Sequence, residues 1–211
     1  MSSERHYGVG KRFQNAQLDQ LNSDYFADVL HYAKHYRRYL VSGEGLLLSG
    51  PPGIGKTYAI VALMRFIKSQ EGGRFDYYVI TAPKLFEQYA TRYIEESDTF
   101  RGKSLTDTFE GVHGLVLNDL GKEARIKEWQ EEEASYRLGR LLRARHEDQK
   151  PIFITTNFPL RRARSGAGVT FAQAYGPAIW SLVQEMTCRR SQIEAPSRRE
   201  EKAQRDLEET D

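Results

Sequence analysis

An α/β fold, a parallel sheet with helices on both faces, is what this sequence predicts, and three observations predict it. Short, continuously apolar segments such as Leu46-Leu47-Leu48 and Ile152-Phe153-Ile154 alternate with amphipathic segments of helical length. A glycine-rich loop, Gly50-Pro51-Pro52-Gly53-Ile54-Gly55-Lys56-Thr57, links the first strand to the helix after it. No internal repeat or Gly/Ser- or Pro-rich linker divides the 211 residues, a length that favours one domain with its own core.

The elements follow in order. Ser23 suits an N-cap for a helix from about 24 to 40, where Phe26, Val29, Leu30 and Ala33 keep helical spacing. Gly43-Glu44-Gly45 breaks that helix, and Leu46-Leu47-Leu48 forms the first strand. After the glycine-rich loop a helix runs from about 55 to 68, and Glu71-Gly72-Gly73 turns the chain. Residues 75–81 read as the second strand, and Pro83 fits the first turn of a helix reaching about Ile94. A polar loop (97–103) and a short helix (104–110) lead to a strand at 114–117. A long helix over 126–147, a strand over 151–156, a basic loop (161–168) and a helix near 170–187 complete the core. Residues 189–211 carry six basic and seven acidic residues and almost nothing apolar, so they read as a charged, disordered or solvated tail. The expected organisation is a lead-in over 1–22, a core over 23–188 and a tail over 189–211.

Composition narrows the function classes. No apolar run approaches the ~20 residues that span a bilayer, so no membrane partner is expected. A polar N-terminus and a single cysteine, Cys188, exclude a disulfide framework and a cysteine-built zinc site, and point to a cytoplasmic protein. The net charge of +2 is too small for indiscriminate coating of nucleic acid. Locally, residues 137–164 hold eight basic residues (Arg137, Arg140, Arg143, Arg145, Lys150, Arg161, Arg162, Arg164) against Glu147 and Asp148. That excess suits either phosphate attraction or a solvated helix face.

Gly50 to Thr57 fit G-x-x-x-x-G-K-[ST] in full and sit between a strand and a helix, the context that gives the motif its meaning. The glycines let backbone N–H groups wrap phosphates, and the helix N-terminus adds positive potential. Lys56 is expected on the β- and γ-phosphates of ATP, Thr57 on Mg²⁺, and Tyr58 beside them in the first helical turn. Such a site needs a carboxylate at a neighbouring strand end, and Leu117-Asn118-Asp119-Leu120 supplies the candidate. Two registers are open: Asn118 on the metal with Asp119 as base, or Asp119 on the metal with no base behind it. Asn157, closing the strand at Thr155-Thr156, is placed to orient water and sense the γ-phosphate.

The succession Gly-Pro-Pro-Gly-Ile-Gly-Lys-Thr, Asn118-Asp119-Leu-Gly-Lys-Glu, Glu128-Trp129, Arg145 and Pro151-Ile-Phe-Ile-Thr-Thr-Asn157 resembles the AAA+ ATPases of the DnaC/IstB family, from about Tyr7 to Met186. That family contains bacterial and phage replicative-helicase loaders and the ATPase partners of transposases. The resemblance implies a P-loop AAA+ sheet with at most a short C-terminal helical appendage. It implies ATP-driven self-association into an oligomer or filament, contact with single-stranded DNA, and recruitment of a replicative helicase or, alternatively, a transposase. It implies Asp119 as the acidic residue and Asn157 as sensor. Family members usually show two acids where this chain has Asn118-Asp119, and arginines where it has Ala178 and Leu182. A nucleotide-gated adaptor with little hydrolysis is therefore a further reading. Aromatic and basic residues between Tyr77 and Lys103 (Tyr77, Tyr78, Tyr89, Tyr93 and Phe100 among Lys84, Arg92, Arg101 and Lys103) either stack on single-stranded DNA or pack in the core.

Overall fold

The apolar strands pair side by side, and the helices between them cover both faces. The computed structural model describes residues 8–90, 105–121, 128–162 and 168–195. After 3-10 turns at Lys11–Phe13 and Leu18–Gln20 come α1 (Ser23–Val41), β1 (Gly45–Ser49), α2 (Lys56–Gln70), β2 (Tyr77–Thr81), α3 (Ala82–Ala90) and α4 (Leu105–Gly111). Next in the chain are β3 (Gly114–Leu120), α5 (Glu128–Glu147), β4 (Ile152–Thr156), α6 (Phe171–Glu185) and β5 (Thr187–Gln192). The five strands lie in the order β2-β3-β4-β1-β5, and every pair is parallel.

Side-chain alternation along each strand splits the core in two. Leu46, Leu48, Val116 and Phe153 face α1, α2 and the lead-in residues Val9, Ala16 and Leu21. Leu47, Leu115, Leu117, Ile152 and Ile154 face Leu85 of α3, Leu138, Leu141 and Leu142 of α5, and Val183 of α6. Strands buried on both faces must be apolar at every position, hence the unbroken runs in the sequence.

Two expectations change, at the cap of α1 and at the start of the tail. The N-cap of α1 is Asn22, not Ser23: its Oδ1 accepts from the N–H of Asp24 at 2.8 Å, satisfying a donor of the first turn. Helix α6 starts on a capping box of Thr170 and Gln173 and is kinked at Gly176, ahead of Pro177. The boundary expected at 189 falls inside β5. That strand pairs with β1 from Thr187 to Gln192, and buried Ile193 donates its N–H to the Ser49 carbonyl at 2.8 Å. Residues 196–211 of the expected tail lie outside the described residues.

One buried charge braces the sheet. Arg145 of α5 is fully enclosed. Its Nη1 donates to the carbonyls of Phe109 (2.7 Å) and Val112 (3.0 Å), and its Nη2 to those of Pro151 (2.8 Å) and His113 (3.2 Å). The guanidinium thus caps the C-terminus of α4, where the helix dipole is negative, and ties together the starts of β3 and β4. Burial lowers its pKa to about 9, so it stays cationic at neutral pH. It cannot belong to a phosphate-attracting surface.

Candidate nucleotide site

The site forms beyond the carboxyl ends of β1, β3 and β4, where a parallel sheet presents its loops. The backbone leaves β1 through Gly50 and turns into α2 at Gly55, whose φ of +102° and position as N-cap suit a residue without Cβ. α2 then begins at Lys56 with its first N–H groups open toward the loop.

Lys56 is buried, and its ammonium donates to the carbonyls of Gly50 (2.7 Å) and Pro51 (2.8 Å) and to Oδ1 of Asn157 (2.9 Å). The phosphate-loop lysine and the expected sensor, 101 residues apart, therefore touch directly. Around them, Ser49 Oγ donates to the Phe158 carbonyl at 2.6 Å. Gln192 Oε1 accepts from the N–H groups of Leu160 (3.0 Å) and Arg161 (3.3 Å). β5 thereby pins the loop that follows the sensor strand, a role its polar sequence did not announce.

The acidic strand end is irregular. Between Leu117 and Leu120 the pairing of β3 with β4 slips by one residue, a bulge, and Asp119 adopts φ +58°. Two threonine hydroxyls bridge the gap. Thr156 donates to the Leu120 carbonyl at 2.7 Å, and Thr155 accepts from the Asp119 N–H at 2.9 Å. Thr155 also donates to Asn118 Oδ1 at 2.8 Å, and Thr57 donates to the same oxygen at 2.7 Å. Asn118 is thus in direct contact with the phosphate-loop threonine. Sequence reading missed Thr155, although a threonine pair before a strand-end Asn is a visible signal. Gly121 follows with φ +104° and lies so close to the Phe158 ring that a Cβ would sit 2.5 Å from it. That close approach requires glycine.

Thr57 Oγ1 and Asn118 Oδ1 are hard, neutral oxygens side by side at the phosphate loop. The Thr57 oxygen fits a small hard cation such as Mg²⁺ that draws its other ligands from phosphate and water, whereas Asn118 Oδ1 already accepts from two hydroxyls. Among the described residues no cluster of His, Cys, Asp and Glu could hold a metal ion.

The remaining candidates sit elsewhere. Tyr58 turns its hydroxyl to the lead-in, accepting from the Gln17 N–H at 3.3 Å and donating to Gln20 Oε1. Tyr77 and Tyr78 are buried in β2, so they pack rather than stack on bases. Arg92, Tyr93, Phe100, Arg101, Lys103 and Arg164, and the side chain of Tyr89, lie outside the described residues. Arg161, Arg162 and Lys84 are exposed. Ala178 is exposed, and Leu182 packs partly against the core. Neither nearby arginine replaces what they lack. Arg189 pairs with Asp28 at 3.1 Å, and Arg190 donates to the carbonyls of Gln184 and Thr187, both at 2.9 Å.

Fold and site together have the architecture of P-loop proteins, a parallel sheet with a phosphate-loop motif between its first strand and the helix after it. No protein-family model matches the chain, and no curated protein does. Solved structures do. The DnaC helicase loader is 25% identical, with a TM-score of 0.67 over 88% of this chain and 100% of that one. DnaI is 21% identical, with a TM-score of 0.62 over 90% and 94%. The replication initiator DnaA bound to AMPPCP and single-stranded DNA is 15% identical, with a TM-score of 0.56 over 95% of this chain and 56% of that one. By fold, the chain is similar to the DnaC helicase loader. Among the described residues no helix is long and apolar enough to cross a membrane.

Proposed function

We propose that this chain is a helicase-loader-like ATP-binding protein that assembles with copies of itself, contacts single-stranded DNA and recruits a replicative helicase. One observation carries the reading. A complete phosphate-loop site occupies the switch region of a fold that matches the DnaC helicase loader over that protein's whole length. In this reading the backbone N–H groups of Gly53 to Thr57 and the start of α2 bind the phosphates. Lys56 exchanges the carbonyls of Gly50 and Pro51 for phosphate oxygens. Asn157, already in contact with Lys56, reads whether a γ-phosphate is present. Thr57 would hold Mg²⁺, which when bound would neutralise phosphate charge. Asp119, set by the bulge, orients the attacking water.

The test is light scattering of the full chain with its cognate replicative helicase, with ATP, with ADP and with no nucleotide. A nucleotide-dependent complex that binds a single-stranded oligonucleotide supports the reading. Absence of a complex in all three states overturns it, and a complex with a transposase instead would move the protein to the transposition branch. Asn118 and exposed Ala178 favour a second reading, a nucleotide-gated adaptor with little turnover. Steady-state hydrolysis with helicase and DNA present separates the two.

A further inference from the structure

Asn118 stands where charge would be most useful and carries none. Among the described residues, the side-chain hydrogen bonds of Asn118 both run to Oδ1, from Thr57 at 2.7 Å and from Thr155 at 2.8 Å. Thr155 also accepts the Asp119 N–H at 2.9 Å. With the amide reversed, the Thr57 and Thr155 protons would both lose this acceptor, so the orientation with Oδ1 toward the hydroxyls is the better satisfied one. The atom left over for a ligand is therefore Nδ2, a donor.

A carboxylate at this place would instead offer a second acceptor and a full negative charge. That difference sorts ligands. Metal-bound water only donates, so it finds an acceptor in a carboxylate and none in Nδ2. A phosphate oxygen accepts, so it finds a partner in Nδ2 and repulsion in a carboxylate.

Given an ATP site at the phosphate loop, on which this deeper assignment rests, we propose that Asn118 adapts the site to the nucleoside triphosphate itself, with little dependence on Mg²⁺. Nδ2 donates to a phosphate oxygen where a carboxylate would hold a metal-bound water. Thr155 is the positioning residue that keeps Oδ1 turned inward and Nδ2 available.

Fluorescence titration of the full chain with methylanthraniloyl-ATP, in Mg²⁺ and in EDTA, tests this. The wild type should change Kd by less than about threefold on chelation. N118D should weaken by about tenfold or more in EDTA and recover in Mg²⁺. T155V should lose affinity in EDTA, and T155S should keep it, a rescue that a role in packing alone would not require. A tenfold or larger loss by the wild type on chelation overturns the proposal and needs no variant to be folded. So does an N118D protein that tracks the wild type in both buffers. If wild type and K56A bind equally poorly in both buffers, the ATP-site reading itself fails. Metal dependence in a wild type that K56A cannot match leaves that reading standing and removes only the role given to Asn118.

Discussion

Two buried cations sit at opposite ends of the same sheet, and both donate mainly to backbone carbonyls. Lys56, beyond the carboxyl ends of the strands, holds two carbonyls of a loop and one side-chain amide. Arg145, at the starts of β3 and β4, holds carbonyls of a helix end and of two strand entries. Loop carbonyls can turn outward when a stronger acceptor arrives, and phosphate is one. Carbonyls built into a helix terminus and a sheet entrance cannot turn without unfolding what they belong to. A cation on the first kind of partner is a binding group, and one on the second kind is a brace.

Substitution separates the two roles. Arg145→Leu should have the largest effect, because it leaves several buried carbonyls without donors. A loss of about 4 kcal/mol or more, read by urea denaturation, is expected. Lys56→Ala should cost nucleotide affinity about a hundredfold in a titration while changing stability by less than about 1 kcal/mol. Equal destabilisation by both substitutions would break the comparison. Arg145→Lys keeps the charge but loses the planar fork, so about 2 kcal/mol is expected, and a neutral result would mean charge alone braces the sheet. Asn157→Ala should be mildest, lowering ATP affinity less than about tenfold. Its signature is a shrunken ratio of ATP to ADP affinity, since it removes the amide that links Lys56 to the sensor strand.

The same contrast explains what the sequence made legible. The phosphate loop was readable because its geometry requires particular residues at particular spacings, and the strands beside it because burial on both faces demands unbroken apolar runs. Arg145 was not readable as a brace. As one basic residue among eight, it gives no local sign that the carbonyls of Phe109, Val112 and His113, more than thirty residues away, converge on it together with that of Pro151. The register at Asn118-Asp119 stayed open because a bulge is a property of two strands together. The contact of Asn118 with Thr57, far away in sequence, exists only in the folded chain. β5 was missed because only Thr187 among its residues is buried, so Thr-Cys-Arg-Arg-Ser-Gln shows neither an apolar run nor an apolar alternation.

That polar strand has a further consequence. Among the described residues, no strand pairs with the outer side of β5, so its peptide groups there offer a template to any extended chain. Arg189 and Arg190, adjacent in the middle of the strand, are tied by hydrogen bonds and an ion pair to α1 and to the end of α6. Charged side chains held in place along an edge act as gatekeepers, making a second strand pay for desolvating them before it can dock. The residues that hid β5 from sequence reading thus let an all-parallel sheet end without inviting its neighbours to aggregate.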